Sequence, residues 1–195
     1  MREMRRIMAL RDVIEAYVPS NAQEAEDRER MLEAMDCFSN LLTRENAFMH
    51  FTASSWIVNR ERTKALMVWH NIYKSWAWTG GHADGDEALL RVALREAMEE
   101  TGLKRVEACR QTPISLEILP VSAHVKRGRF ISPHLHLNLT YGLMADESEP
   151  LVIKPDENSG VRWFSLDEAL NASREEEMRP IYEKLNRWAR GLCDQ

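Results

Sequence analysis

Three glutamates in one short segment could do metal-ion chemistry. Glu96, Glu99 and Glu100 stand at positions i, i+3 and i+4, so on a helix they share one face with Cβ atoms about 5–6 Å apart. In a cleft with an effective dielectric near 20, each like-charge pair at that spacing costs roughly 3 kcal/mol. A divalent cation would offset this repulsion. Carboxylate oxygens with no cysteine nearby suit Mg²⁺, with Mn²⁺ as the alternative.

The glutamates belong to a longer pattern that runs from Gly81 to Leu103. It reads GHADGDEALLRVALREAMEETGL: a glycine, five residues, a glutamate, seven residues, Arg-Glu, two residues, Glu-Glu, one residue and Gly-Leu. A chance match to so many fixed positions is on the order of one in a million at average residue usage. The pattern resembles the signature of the Nudix hydrolases, and every invariant position is filled.

The resemblance implies a role for each of these residues. Glu96, Glu99 and Glu100 would bind the metal ions, and Gly81 would add a backbone carbonyl. Arg95 would hold the glutamates in orientation through charge-assisted hydrogen bonds. Members of the family hydrolyse a nucleoside diphosphate linked to another group, and a metal-activated water attacks phosphorus. The resemblance therefore implies a Mg²⁺-dependent pyrophosphohydrolase with a small phosphorylated substrate.

Two acids outside the predicted helix extend the implied site. Glu87 would be an outer helper of the same acidic cluster. Glu157 lies six residues before Trp163, in the loop where some family members carry another acid. It could be a further metal ligand or the general base, and the neighbouring Asp156 could do the same job.

Polar and aromatic residues in the flanking segments are candidates for binding the substrate. A tryptophan could stack on a base, and histidine, lysine or arginine could contact a phosphate. The candidates are His70, Lys74, Trp76, His82, Arg127 and Arg129. Core packing is the alternative for Trp76, and a solvated hairpin tip is the alternative for the two arginines. His134 and His136 form a His-x-His pair, but strand alternation alone explains it, so we do not expect zinc there.

Two other functions fit parts of the pattern. Isopentenyl-diphosphate isomerases resemble this scaffold and bind a diphosphate through metal, but they need a catalytic cysteine before the signature. Residues 46–80 contain no cysteine. The second alternative is a non-catalytic module that binds a nucleotide ligand. Such a module would not need the full set of acidic residues.

The composition limits the partners. A net charge of -5 and a pI near 5.7 argue against a nucleic acid duplex, which needs a basic face. No apolar run of about 18 residues predicts a membrane span, and the charged N-terminus does not resemble a signal peptide. Cys37, Cys109 and Cys193 are sparse and odd in number, which is typical of free thiols in a reducing compartment. We therefore expect a cytoplasmic protein.

The elements that must position the glutamates can be predicted from periodicity. Apolar residues at helical spacing predict a helical hairpin over 1–45, with helices over 3–18 and from Ser20 to about Leu42. The hairpin could cover the main domain or form a homodimer surface. We assign 46–195 to the hydrolase domain.

Strand patterns and capping signals fill the rest of the chain. Capping boxes at Ser165 with Glu168 and at Ser173 with Glu176 predict two closing helices. Strands are predicted at 52–59, 65–71, 76–79, 105–112, 116–125, 135–144 and 161–164. Because strands and helices mix without regular alternation, we expect an α/β/α sandwich around a mixed sheet.

The glutamate-bearing helix has predicted ends and a predicted buried face. Asp86 can cap its start, and Gly102 can end it in the left-handed conformation. Arg91 could pair with Glu87, and Arg95 with Glu99. The apolar stripe expected to pack on the sheet is Leu90, Ala93, Leu94, Ala97 and Met98.

Overall fold

The structure is a computed structural model that describes residues 9–126 and 128–191. These residues form five α-helices and ten strands. The helices are α1 (Leu10–Glu15), α2 (Ala22–Cys37), α3 (Leu89–Thr101), α4 (Leu166–Ala172) and α5 (Arg179–Ala189). The strands are β1 (Met49–Val58), β2 (Lys64–His70), β3 (Ser75–Ala77), β4 (Thr79–His82), β5 (Val106–Ala108), β6 (Ser115–Val121), β7 (His124–Lys126), β8 (Arg129–Ile131), β9 (His134–Ala145) and β10 (Asn158–Ser165).

Eight of the strands make one mixed sheet. Its main order is β10-β2-β1-β9-β5, while β3, β4 and β6 pair with β2, β1 and β9. The central pair, β1 and β9, is parallel from Met49↔Leu135 to Val58↔Met144, and the other pairs are antiparallel. Strands β7 and β8 form a separate hairpin. The mixed sheet expected from the sequence is therefore confirmed.

Hydrophobic cores lie on both faces of the sheet, which gives an α/β/α sandwich. The first core joins the sheet to α1, α2 and α3, and includes Ile14, Met31, Phe51, Val92 and Leu137. The second core joins it to α4 and α5, and includes Trp56, Met67, Leu166, Tyr182 and Leu185. The predicted fold class is confirmed.

The N-terminal helices differ from the prediction in length. Helix α2 ends at Cys37, before the expected Leu42, because Phe38 is extended, with φ -129°. It begins at Ala22, two residues after the expected Ser20, and Asn21 caps it, since the Asn21 side chain accepts a hydrogen bond from the Glu24 N–H at 2.9 Å. Residues 3–8 of the first predicted helix lie outside the described range. The boundary at residue 45 stays a prediction, and both helices share the first core.

Helix α3 is rotated relative to the predicted stripe. Met98 is 36% exposed, and Leu90 and Leu94 are only partly buried. The residues that are buried along α3 are Leu89, Val92, Ala93, Ala97, Glu100 and Thr101. The sheet-facing side of the helix therefore carries one of the glutamates.

The predicted end of α3 is confirmed, whereas its predicted N-cap is wrong. Gly102 ends the helix with φ 73°, as predicted. Asp86 is not the N-cap, because the helix begins after Ala88. The Asp86 carboxylate instead accepts from the Ala88 N–H at 2.8 Å and pairs with Arg91 at 2.6 Å. The predicted pairing of Arg91 with Glu87 is therefore wrong.

The closing helices confirm one capping box and correct the other. Ser165 and Glu168 form the predicted box at α4. Ser173 does not cap the last helix, because a 3₁₀ turn at 176–178 comes first and α5 begins at Arg179 without a side-chain cap. Cys193, which is one of the expected free thiols, lies outside the described residues.

The described helices give no candidate for crossing a membrane, since each is too short or too polar. Cys37 and Cys109 are free thiols.

Candidate active site

The Glu96 carboxylate lies against a glycine of the sheet. Strand β4 pairs with β1 so that Gly81 is opposite Ala53. A Cβ atom on Gly81 would meet the Glu96 Cδ at 2.5 Å and its Oε1 at 2.7 Å. Only glycine therefore allows the carboxylate to lie so close to the β4 backbone.

Glu100 is buried beside Glu96. It is 3% exposed, and its Oε1 accepts a hydrogen bond from the Gly80 N–H at 2.8 Å. Burial raises the pKa of Glu100 to about 8, against the Gly80 N–H, which favours the charged form. The charges of Glu96 and Glu157 contribute to this raised value. A cation beside this group would favour its ionised form.

Glu99 and Glu157 meet at a lysine that the sequence reasoning missed. The Lys154 Nζ lies 3.0 Å from a Glu99 carboxylate oxygen and 3.0 Å from a Glu157 carboxylate oxygen. Partial burial lowers the pKa of Lys154, but the two carboxylates outweigh it and the net shift is upward. The loop before β10 is thereby tied to the end of α3.

Arg95 lies on the same side of α3 as two glutamates. Its guanidinium donates to Glu96 Oε1 at 2.9 Å and lies 3.8 Å from Glu99 Oε1. The predicted Arg95–Glu99 pairing is present, although the Glu96 contact is the shorter. A planar guanidinium between two carboxylates limits how each can turn.

These residues offer a hard-oxygen donor set that fits Mg²⁺ or Mn²⁺. The fit rests on the glycine at position 81, which admits Glu96, and on the buried Glu100 beside it. Among the described residues, the three glutamates do not bring one carboxylate oxygen each within 4.8 Å of one another. Glu99 is turned toward Lys154 instead.

Comparison with known proteins assigns the chain to a family. Residues 49–185, more than half of the chain, match the family model described as the NUDIX domain. The chain belongs to the Nudix family. The match contains the whole signature and the strands that hold it, and this Nudix hydrolase is a pyrophosphohydrolase.

Solved structures agree with the assignment. A NUDIX-family hydrolase from Clostridium perfringens is 25% identical, covers 70% of this chain and 96% of its own, and gives a TM-score of 0.50. The Nudix hydrolase RenU from M. smegmatis is 16% identical, with 73% and 87% coverage and a TM-score of 0.55. A MutT protein from Methanosarcina mazei is 16% identical, with 71% and 93% coverage and a TM-score of 0.54. The last two show the fold alone. No curated protein matches the sequence.

Some substrate candidates of the Nudix hydrolase lie near the glutamates. The turn that follows β2 contacts the loop of Glu157, because the Asn71 N–H donates to the Glu157 carbonyl at 3.0 Å. His70 precedes this turn, and its ring stacks on Tyr73 at 4.3 Å between centroids. Lys74 closes the turn in the left-handed region, with φ 52°, and is exposed. This turn could contact a bound substrate.

Trp76 packs within the protein, in line with the core alternative. Its ring lies edge-on to Trp69 at 5.7 Å and to Phe164 at 4.9 Å. Arg162 lies over it at 5.9 Å. The ring is only partly buried, so an accessible part remains for stacking.

The other candidates lie apart from the glutamate cluster. His82 joins three more histidines on the sheet, including His50 at 5.0 Å between ring centroids. Arg129 is exposed on the β7–β8 hairpin, and Arg127 lies outside the described residues. Burial, and to a smaller extent the neighbouring histidines, lower the pKa of His136 to about 2. The sequence reasoning missed His50 entirely.

Proposed function

We propose that this Nudix hydrolase cleaves the diphosphate of a small, nucleoside-diphosphate-linked substrate with Mg²⁺ held by Glu96, Glu99 and Glu100. The observation that carries the proposal is the contact between Glu96 and Gly81. A carboxylate held against a bare backbone, with a second buried carboxyl group beside it, offers oxygen ligands whose ionised form a divalent cation would stabilise.

The residues around the carboxylates have separate tasks. Arg95 orients Glu96 and Glu99 through the contacts described above, and the Gly80 N–H orients Glu100. When bound, the cation would lower the pKa of the attacking water and neutralise the non-bridging phosphate oxygens. The Gly81 carbonyl could complete the ligand set.

Glu157 and Lys154 would act at the edge of the site. Glu157 is 32% exposed on its side chain, so it can reach water and accept a proton from it, or serve as a further ligand. Lys154 carries a positive charge at 3.0 Å from both Glu99 and Glu157. When a cation neutralises Glu99, the lysine can donate to a phosphate oxygen of the substrate.

The test is a hydrolysis screen of the full chain, in which chromatography separates each substrate from its phosphorylated products. The panel holds nucleoside diphosphate sugars, dinucleoside polyphosphates, nucleoside triphosphates and ADP-ribose, each with and without Mg²⁺. We expect Mg²⁺-dependent hydrolysis, with kcat reduced at least about 100-fold in Glu99→Gln and in Glu100→Gln. Glutamine keeps the size of the side chain, and at position 100 its carbonyl can still accept from Gly80.

The matched control is Glu107→Gln. Glu107 is an exposed glutamate on β5 that pairs with Arg105, and it should turn over at the wild-type rate. Circular dichroism and the unfolding midpoint check that each variant folds. If Glu99→Gln and Glu100→Gln both keep full activity, the site assignment is wrong.

A further inference from the structure

Histidines from three strands meet on the sheet, although they are far apart in the sequence. His50 comes from β1, His82 from β4 and His136 from β9. The pairing of the strands brings them together: His50 is opposite His136, and Thr52 is opposite His82. One ring nitrogen from each of the three lies within 4.8 Å of the others.

The cluster lies on the other face of the sheet from Glu96. Side chains alternate between faces along a strand, and a Cβ on Gly81 would point at Glu96 on α3. A Cβ on Gly80 would instead point at the Ser54 hydroxyl. His82 is two residues from Gly80 and shares its face, so the histidines are separate from the proposed Mg²⁺ site.

Hydrogen bonds orient two of the imidazoles. His50 Nδ1 lies 3.1 Å from the Asn46 carbonyl and His134 Nδ1 lies 2.9 Å from the Ser132 carbonyl. Since a carbonyl only accepts, each Nδ1 carries the proton and each Nε2 keeps a lone pair. A backbone carbonyl on the far nitrogen is the usual support for a histidine that binds a metal ion.

The Nε2 of His50 has no partner within the described residues. His50 is 5% exposed, and this nitrogen is buried without a hydrogen bond. Its ring centroid lies 5.0 Å from that of His82 and 5.1 Å from that of His136. An unpaired buried lone pair is unfavourable, and a cation among the three rings would satisfy it.

We propose that His50, His82 and His136 form a second metal site that binds a borderline divalent cation of the Zn²⁺ type. Neutral imidazole suits Zn²⁺, whereas Mg²⁺ prefers oxygen ligands. Imidazoles at about 2.0–2.1 Å from a tetrahedral ion have ring centres roughly 5 Å apart, which is the spacing observed. His134 stands beside the site, with its Nε2 3.2 Å from the His136 Nε2, and could supply a fourth ligand.

The histidine site is separate from the site proposed for hydrolysis, and it was not predicted from the sequence. The His-x-His pair at 134 and 136 gave no reason to expect zinc, because its partners come from β1 and β4. Parallel pairing of β1 with β9 brings the groups together, and such long-range pairing leaves no local signal.

The experiment measures Zn²⁺ retained by the full chain. The protein is loaded with Zn²⁺, dialysed against excess Mg²⁺ to displace zinc from carboxylates, and assayed for metal content. We expect about one equivalent in the wild type and at least about tenfold weaker binding in His82→Gln and His136→Gln. Co²⁺ in place of Zn²⁺ should give the strong visible absorption of a four- or five-coordinate nitrogen site, and both variants should lose it.

Two controls separate this site from the glutamates. His70→Gln removes a histidine outside the cluster and should retain Zn²⁺ fully. The double variant Glu96→Gln with Glu100→Gln should also retain it, whatever happens to hydrolysis. Retention of no Zn²⁺ by the wild type, undiminished retention in both cluster variants, or loss in the glutamate variant would each overturn the proposal. Circular dichroism checks that each variant folds. Of the two cluster variants, His82→Gln should disturb the fold less, because His82 is only partly buried.

Discussion

At the scale of single residues, the bare backbone at Gly81 decides where the Glu96 carboxylate lies. A Cβ there would be 2.5 Å from Glu96 Cδ, which is the far end of a flexible side chain. Since that end can rotate away, an added methyl group should move the carboxylate without disturbing the sheet. A substitution at Gly81 can therefore change the position of the Glu96 carboxylate without changing the stability of the fold.

The substitution Gly81→Ala should weaken the metal site more than the fold. We expect Mn²⁺ affinity, measured by electron paramagnetic resonance, to fall about tenfold or more. The free energy of unfolding should change by less than about 1 kcal/mol. The rate of substrate hydrolysis should fall together with Mn²⁺ affinity.

The neighbouring glycine supplies the contrast. A Cβ on Gly80 would meet the Ala53 carbonyl oxygen at 2.8 Å, and backbone cannot rotate away. Gly80→Ala should therefore destabilise the fold, by roughly 1–3 kcal/mol. Unchanged Mn²⁺ affinity in Gly81→Ala would show that Glu96 does not ligate the ion.

Residues within the signature could be predicted, whereas their partners could not. Arg95 and Glu96 are close in the sequence, so their closeness on a helix can be predicted from their spacing. Lys154 reaches Glu99 across 55 residues of sequence, and His50 meets His136 through strand pairing. Contacts of this range depend on the register between strands, and no local pattern specifies that register.

At the scale of elements, the apolar pattern predicted helix α3 but not its rotation. Helical spacing predicts a buried stripe of Leu90, Ala93, Leu94, Ala97 and Met98, and of these only Ala93 and Ala97 are fully buried. The small Ala93 and Ala97 allow close approach to the sheet, and Leu89 and Val92, which the stripe did not include, are buried beside them. Functional burial of Glu100 at this interface contradicts the usual apolar pattern, as is common at functional sites.

A buried ionic cluster ties three elements together. Lys184 of α5 contacts Glu24 of α2 at 2.5 Å and Glu117 of β6 at 2.6 Å. The two carboxylates are 0% exposed and the lysine is 4% exposed. Asp27 of α2 also accepts from the Ile118 N–H at 3.0 Å. The N-terminal helix is therefore bound to the sheet by polar contacts as well as by packing.

Removing the lysine should destabilise the protein strongly. Lys184→Met leaves two buried carboxylates without their cation, so we expect a loss of about 3–5 kcal/mol in the free energy of unfolding. Urea unfolding measures it. The control is Lys64→Met, because Lys64 pairs with Glu147 at the surface and such pairs contribute about 0–1 kcal/mol. Equal losses of unfolding free energy in the two variants would mean that the buried cluster stabilises the fold no more than a surface ion pair does.

At the scale of the whole molecule, the two faces of the sheet carry different chemistry. The glutamates of α3 lie on the face of the first core, and the histidine cluster lies on the opposite face. The N-terminal helices join the first core and also reach α5, which belongs to the second core. Signals for each helix were visible in the sequence. The burial of Lys184 could not be predicted, because a lysine on a closing helix is ordinarily solvated.

The same cluster should make global stability depend on pH. Burial raises the pKa of Glu117, although Lys184 and Ser115 oppose the shift. A raised native pKa stabilises the fold fully below the unfolded value, about 4.3, and this contribution is lost as pH rises through the native pKa. Glu24 differs: burial raises its pKa, but the hydrogen bond and charge of Lys184 prevail and lower it.

We expect Glu117→Gln to gain stability relative to the wild type as pH rises from the unfolded value, about 4.3, towards the raised native pKa of Glu117. The slope of the difference should be at most about 1.4 kcal/mol per pH unit, because one proton is released on unfolding of the wild type and none by glutamine at position 117. Glu100, whose pKa is also raised, is present in both proteins and cancels in the difference. Urea unfolding across this range measures it, with the exposed Glu107→Gln as control. Parallel profiles for wild type and Glu117→Gln would mean that Glu117 is already ionised in the native protein, held in that state by Lys184.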